Sequence, residues 1–110
     1  GGAAGGPENH LGALDTAAMA LEDKDTAMAA SIYSKVAALP DSKDDATVPE
    51  LRARASAGLL RCALAEGDDA AAESLAKALR GGNFRSLPDV VRALAAYDLA
   101  LSTGGEGEGE

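Results

Sequence analysis

The chain has no tryptophan, one phenylalanine, two tyrosines and a single cysteine among its 110 residues. An aromatic, β-branched sheet core and a disulfide framework are both out of reach, so the core must be made mainly of Leu and Ala. A lone cysteine fits the cytoplasm or a reducing organelle compartment. No run of 18 or more apolar residues occurs, and no basic stretch precedes an apolar one at the start, so neither a membrane-spanning helix nor an attached secretory signal is expected. Positive charge is also scarce, with 10 Lys and Arg against 18 Asp and Glu and a net charge of -8. Without a concentrated basic stripe to neutralise phosphates, nucleic-acid binding is not expected.

Glycine is gathered at the two ends. The Gly1-Gly2-Ala3-Ala4-Gly5-Gly6 run and the Gly104-Gly105-Glu106-Gly107-Glu108-Gly109-Glu110 run cannot bury enough apolar surface to offset the entropy of ordering glycine. Residues 1–8 therefore read as a flexible linker and 103–110 as a disordered Gly/Glu tail, leaving 9–102 as one helical domain. Ala is the dominant small residue of that domain and a strong helix former, which favours closely approaching helices.

Apolar residues recur at three- and four-residue steps through the domain. Leu11, Leu14, Ala17, Ala18 and Leu21 mark a first helix from Pro7-Glu8-Asn9 to about Asp23, with Asn9 as its cap. Ala29, Ile32, Tyr33, Val36 and Leu39 mark a second, starting after Lys24-Asp25 and stopped by Pro40. The polar break between them predicts an antiparallel hairpin, although no Gly or Pro marks its turn. Pro40 to Pro49 reads as a charged, solvated loop. A third helix runs from Pro49 or Glu50 to Glu66, with Leu51, Ala55, Leu59, Cys62 and Ala63 on one face, widened by Leu60 and Leu64. Gly67 ends it and Asp68 caps a fourth helix, Asp69 to Leu79, that buries Ala72, Leu75, Ala76 and Leu79. A fifth helix, Pro88 to Ser102, is expected to present Val91, Leu94, Ala95 and Leu99 to the core, with Tyr97 at one edge and Phe84 plugging the seam before it.

The two hairpins repeat. Lys24-Asp25-Thr26-Ala27-Met28-Ala29-Ala30 and Gly67-Asp68-Asp69-Ala70-Ala71-Ala72-Glu73 hold the same place 43 residues apart, which predicts a solenoid-like array. This pattern resembles the tetratricopeptide repeat. Ala17, Ala29, Tyr33 and Val36 match the small, alanine, aromatic and apolar positions of one repeat, and Leu60, Ala72, Ala76 and Leu79 stand at the equivalent places of the next. The family's closing proline is Pro40 in the first hairpin and Arg80-Gly81 in the second. The surplus over the family's 34-residue period falls in the Pro40–Pro49 loop. More narrowly, Ala55-Ser56-Ala57-Gly58-Leu59-Leu60-Arg61-Cys62-Ala63-Leu64-Ala65-Glu66-Gly67-Asp68 with Ala72 and Leu75 resembles the C-terminal repeat region of thioredoxin-like co-chaperones of the chaperedoxin type. That resemblance implies an all-α fold of antiparallel helical hairpins with a C-terminal packing helix. It also implies a role in contacting another polypeptide, an unfolded client or a chaperonin, beside a thioredoxin-fold domain whose active-site cysteine pair is not found here.

Chemistry-bearing residues are isolated. His10 has no second His or Cys beside it, and Asp41, Asp44 and Asp45 lack the spacing of a calcium loop. Ser31, Ser34, Ser56 and Ser74 have no base at local spacing, and Gly81-Gly82-Asn83 follows a helix where phosphate binding needs it to open one. Cys62 reads as a small buried apolar residue. No catalytic residue, metal or cofactor is therefore expected. In repeat arrays the first helix of each hairpin lines the concave side, which nominates Leu14, Ala18, Leu21, Arg54, Ala57, Arg61 and Leu64 as a polypeptide-binding surface. An arginine-rimmed apolar groove suits a segment with acidic groups near its hydrophobic anchors. Helical periodicity does not separate two adjacent faces, so the same leucines either line the groove or fill the core. The alternative to client binding is a structural assembly role, as a homodimer formed through an apolar face that the fifth helix leaves uncovered.

Overall fold

The structure, a computed structural model, describes the backbone of residues 7–108 and the side chains of residues 10–103. Five α-helices, α1 (Pro7–Glu22), α2 (Thr26–Ala37), α3 (Val48–Glu66), α4 (Asp69–Arg80) and α5 (Pro88–Glu108), account for the described secondary structure, with no strand among the described residues. Residues 1–6 of the expected linker lie outside the described residues, whereas Pro7 and Glu8 open α1, two residues before the expected cap at Asn9. Of the expected tail, residues 109–110 lie outside, and α5 continues six residues past Ser102. Thr103 donates its hydroxyl to the Leu99 carbonyl at 3.1 Å, within the helix rather than beyond it.

The two hairpin turns are built alike. After α1, Asp25 N–H donates to Ala20 O at 2.8 Å and Lys24 N–H to Leu21 O at 3.0 Å; after α3, Asp68 N–H donates to Ala63 O at 2.9 Å and Gly67 N–H to Leu64 O at 3.3 Å. Each closes through a left-handed residue, Lys24 at φ 67° and Gly67 at φ 75°, the arrangement that satisfies the last carbonyls of a helix. Each then caps the next helix with an aspartate: Asp25 accepts from Met28 N–H, and Asp68 from Ala71 N–H, both at 3.2 Å. Every equivalent atom pair is offset by the 43 residues of the sequence repeat.

Packing follows the logic of an array in which each helix meets its neighbours alone. α1 packs on α2, and α3 receives both; its other side receives α4 and α5, which also touch one another. Among the described residues, no contact joins α1 or α2 to α4 or α5 at the backbone level. Two cores result. The first holds Leu14, Ala17, Ala20, Ala29, Tyr33, Val36, Leu51, Ala55 and Cys62. The second holds Ala57, Leu60, Ala63, Ala72, Ala76, Leu79, Val90 and Ala93. The chain thus forms a helical-repeat-like bundle with α3 buried on two sides, which is why so many of its small and apolar positions are inside.

Two expectations need correction. α5 does not bury the stripe Val91–Ala95–Leu99. It turns Val90 and Ala93 inward, flanked by Leu94 and Tyr97, and leaves Val91, Ala95 and Leu99 exposed. Both faces of α5 are apolar, and the face carrying Asp89 is the one that meets α3. Phe84 does not plug the seam before α5; Leu87 packs there, and Phe84 is half-buried at the edge of a separate cavity. The Pro40–Thr47 loop is tied down as well as solvated. Arg52 donates to Leu39 O at 3.0 Å and to Asp41 at 2.6 Å, so one guanidinium holds both ends of the turn-off from α2.

Candidate functional site

Because α1, α3 and α5 form one row, a polar cleft of about 120 Å³ opens along it, lined by Ala18 and Glu22 of α1, Tyr33 of α2, Arg54, Ala57, Gly58 and Arg61 of α3, and Asp89 and Arg92 of α5. Of the seven residues nominated from sequence, Ala18, Arg54, Ala57 and Arg61 come together here. Leu14 is 5 % exposed and belongs to the first core. Leu21 and Leu64 are half-buried, the one packed on the first core and the other on the second. Ala57 is itself nearly sealed, so it supplies floor more than contact area.

The cleft is organised by one close approach. A Cβ placed on Gly58 would lie 2.3 Å from the ring carbons of Tyr33, so the tyrosine ring occupies the space a side chain at 58 would need. A glycine inside a helix costs about 1 kcal/mol relative to alanine, and here it is required by the ring above it. Burial pushes the Tyr33 hydroxyl above its ordinary range, a shift opposed by the nearby Arg61 guanidinium. Tyr33 makes no hydrogen bond among the described residues and its hydroxyl is not sealed from solvent, so it faces the cleft as a free donor.

The charges are unequally committed. Arg54 Nε donates to Asp89 Oδ2 at 2.8 Å, a half-buried pair that spans 35 residues and joins α3 to α5. Arg61 and Arg92 form no ion pair among the described residues, nor does Glu22 on the opposite wall. Two guanidinium groups and one phenol therefore remain available to an anionic group entering the cleft. Sequence reasoning missed Glu22, Tyr33, Gly58, Asp89 and Arg92 as members of this site. A glycine in the middle of an alanine-rich helix was the one local signal, since such a residue has a packing reason when it is kept. The Arg54–Asp89 pairing had no signal at helical spacing.

A second, larger cavity of about 570 Å³ lies over the opposite face of α3, where α2 and α4 fail to meet. Ala37, Ala53, Leu75, Leu79 and Phe84 give it apolar walls, with Ser56 and Asn83 as polar points. Cys62 is buried in the first core, and burial raises its thiol pKa, which keeps it protonated and poorly nucleophilic at neutral pH. Among the described residues no group of three or more His, Cys, Asp or Glu is placed to hold a metal ion, and no helix is long and apolar enough to cross a membrane. No protein-family model, curated protein or solved structure matches the chain.

Proposed function

We propose that this chain is a tetratricopeptide-like interaction module that holds a segment of another polypeptide in the cleft between α1, α3 and α5. Its natural setting, on this reading, is a thioredoxin-like co-chaperone of the chaperedoxin type, where it contacts unfolded clients or a chaperonin in the cytoplasm or another reducing compartment and carries out no catalysis of its own. The observation that carries the reading is the pair of uncommitted arginines, Arg61 and Arg92, beside the Tyr33 hydroxyl on the row of first helices. Guanidinium groups in a partly desolvated cleft bind carboxylates with directional, charge-assisted hydrogen bonds. The bound segment should therefore carry an acidic side chain next to its apolar anchors.

The test compares the parent with Arg61→Glu, using fluorescence anisotropy on a set of labelled helical and extended peptides that differ in acidic content, together with suppression of light scattering by an unfolding client. Arg54 is left intact because it is engaged with Asp89. Acidic peptides should bind the parent and lose about tenfold or more in affinity to Arg61→Glu, as expected for a central charged contact. Equal binding of acidic and neutral peptides by both proteins would remove the cleft from consideration.

A further inference from the structure

Two cavities share one ion pair. Arg54 and Asp89, which wall the cleft, also wall a second opening of about 220 Å³ whose other residues are Glu50 of α3 and Leu87 and Pro88 at the entry to α5. Along α3 the cleft takes Ala57, Gly58 and Arg61, all after Arg54, whereas the second opening takes Glu50, which precedes it. The residues around α5 divide in the same way, with Arg92 after Asp89 and Leu87 and Pro88 before it. The two openings are therefore successive stretches of one groove between α3 and α5, with the ion pair at their junction. At about 100° per residue, Glu50, Arg54 and Arg61 fall within about 40° of one line along α3, so all three border the same groove.

The ends of this groove differ in charge. At the cleft end, Arg61 and Arg92 form no ion pair among the described residues, and Glu22 stands opposite them. One positive charge is left over, which a single carboxylate answers. At the other end Glu50 is exposed and forms no ion pair among the described residues, beside the apolar Leu87 and Pro88. Neither opening holds a turn of helix, a cylinder about 10 Å across and about 5.4 Å long, so an extended chain is the form that reaches into both.

We propose that this groove takes an extended segment of a partner polypeptide carrying an acidic and a basic side chain four residues apart, the acid on Arg61 and Arg92 and the base on Glu50. This rests on the cleft being the binding site, and it adds the second charge and the spacing. Glu50 and Arg61 are eleven residues apart, about 16 Å along the helix axis. Arg92 lies only three residues past Asp89, about 4.5 Å beyond the junction. An anion shared by both guanidinium groups therefore sits about 13 Å from Glu50. An extended chain covers that span in about four residues at about 3.3 Å each, an even number that points both side chains to one face.

Fluorescence anisotropy on the full chain at constant salt tests it, with labelled peptides that carry Asp and Lys four or ten residues apart and are otherwise alike. Both chain orders are used, because the charges fix position along the groove and not chain direction. In a matching set, Asp replaces Lys. At the spacing of four the parent should prefer the Asp and Lys peptide. Glu50→Lys, at an exposed position and checked by circular dichroism, should weaken that peptide by about fivefold and tighten the doubly acidic one by a similar factor, as expected for an exposed ion pair made or reversed. An inversion equally large at the spacing of ten is a long-range charge effect and overturns the placement of the base on Glu50. So does a preference that Glu50→Lys leaves as it was while Arg61→Glu still loses the acidic peptides, a result that keeps the cleft. If no acidic peptide binds the parent, the cleft and the groove fall together.

Discussion

The two halves of the molecule share a turn and differ in how their cores are held. Lys24-Asp25 and Gly67-Asp68 make the same backbone bonds and the same aspartate caps, yet one left-handed position is a lysine and the other a glycine. The first core is organised around a ring, Tyr33, set against a residue with no side chain, Gly58. The second has no such lock. It packs Leu60 and Val90 among alanines and is tied at its surface by Arg54 to Asp89 and by Arg80, which pairs with Asp98 and lies 5.9 Å over the Tyr97 ring. The difference shows that a repeat is specified by its backbone offsets, and that each unit can reach them with its own packing solution.

The sharpest way to break the comparison is Gly58→Ala. The added methyl would sit 2.3 Å from the outer ring carbons of Tyr33, a residue of the first core, so the ring as a whole would have to shift to make room. A loss of about 2–3 kcal/mol is expected, in the range for overpacking a well-filled core. Thermal unfolding measures the loss, and native-state hydrogen exchange should show α1 and α2 opening before α4 and α5, since neighbours in an array share only an interface. Adding Tyr33→Leu should return part of the loss, so that the two substitutions are strongly non-additive. Additivity would mean that the ring is free to move.

Much of this architecture was legible in the sequence, and the omissions have a common cause. Five helices and their approximate ends follow from apolar spacing and from Pro40, Pro49, Gly67 and Pro88, because these act locally. The turn at Gly67 was marked by its residue; the one at Lys24 was visible only as a polar break, since a left-handed lysine leaves no compositional trace. Periodicity measures whether a helix has an apolar face, not which neighbour covers it. That is why α5 was read by its outer stripe, Val91–Ala95–Leu99, and why Leu14 was nominated for a groove when it fills a core. The cleft was half legible: Ala18, Arg54, Ala57 and Arg61 share the faces of α1 and α3. Asp89 and Arg92 enter only through the docking of α5, and Tyr33 through the absence of a side chain at Gly58.

A smaller pair of effects sharpens the contrast between the turns, in opposite directions. At Gly67 a Cβ would meet nothing within 4 Å, so Gly67→Ala isolates the backbone term. A non-glycine residue in the left-handed region costs about 1–2 kcal/mol, partly recovered because alanine restricts the unfolded chain. Gly67→Ala should therefore lower stability by about 1 kcal/mol, and Lys24→Gly should raise it by up to a similar amount, for the same reasons reversed. Denaturant midpoints at constant m-value read both. If Lys24→Gly is destabilising, the lysine stem contributes packing that outweighs its backbone strain.

The smallest contrast is one of pH. The first core contains the two acids that burial shifts upward, the Tyr33 phenol and the Cys62 thiol, and the second core contains no cysteine. A raised folded-state pKa means that the native form holds its proton longer than the unfolded chain. The associated stability is complete below the unfolded pKa and is lost as pH rises through the folded one. With unfolded values near 8.5 for cysteine and about 10 for tyrosine, stability should be level through neutral pH and decline above about pH 8.5, first through Cys62 and then through Tyr33. Cys62→Ala should flatten the first part of that decline and leave the second. Hydrogen exchange should place the alkaline loss in α1 and α2. A loss shared equally with α4 and α5 would show that the two cores open together, and that α3 couples them more tightly than an array of nearest neighbours requires.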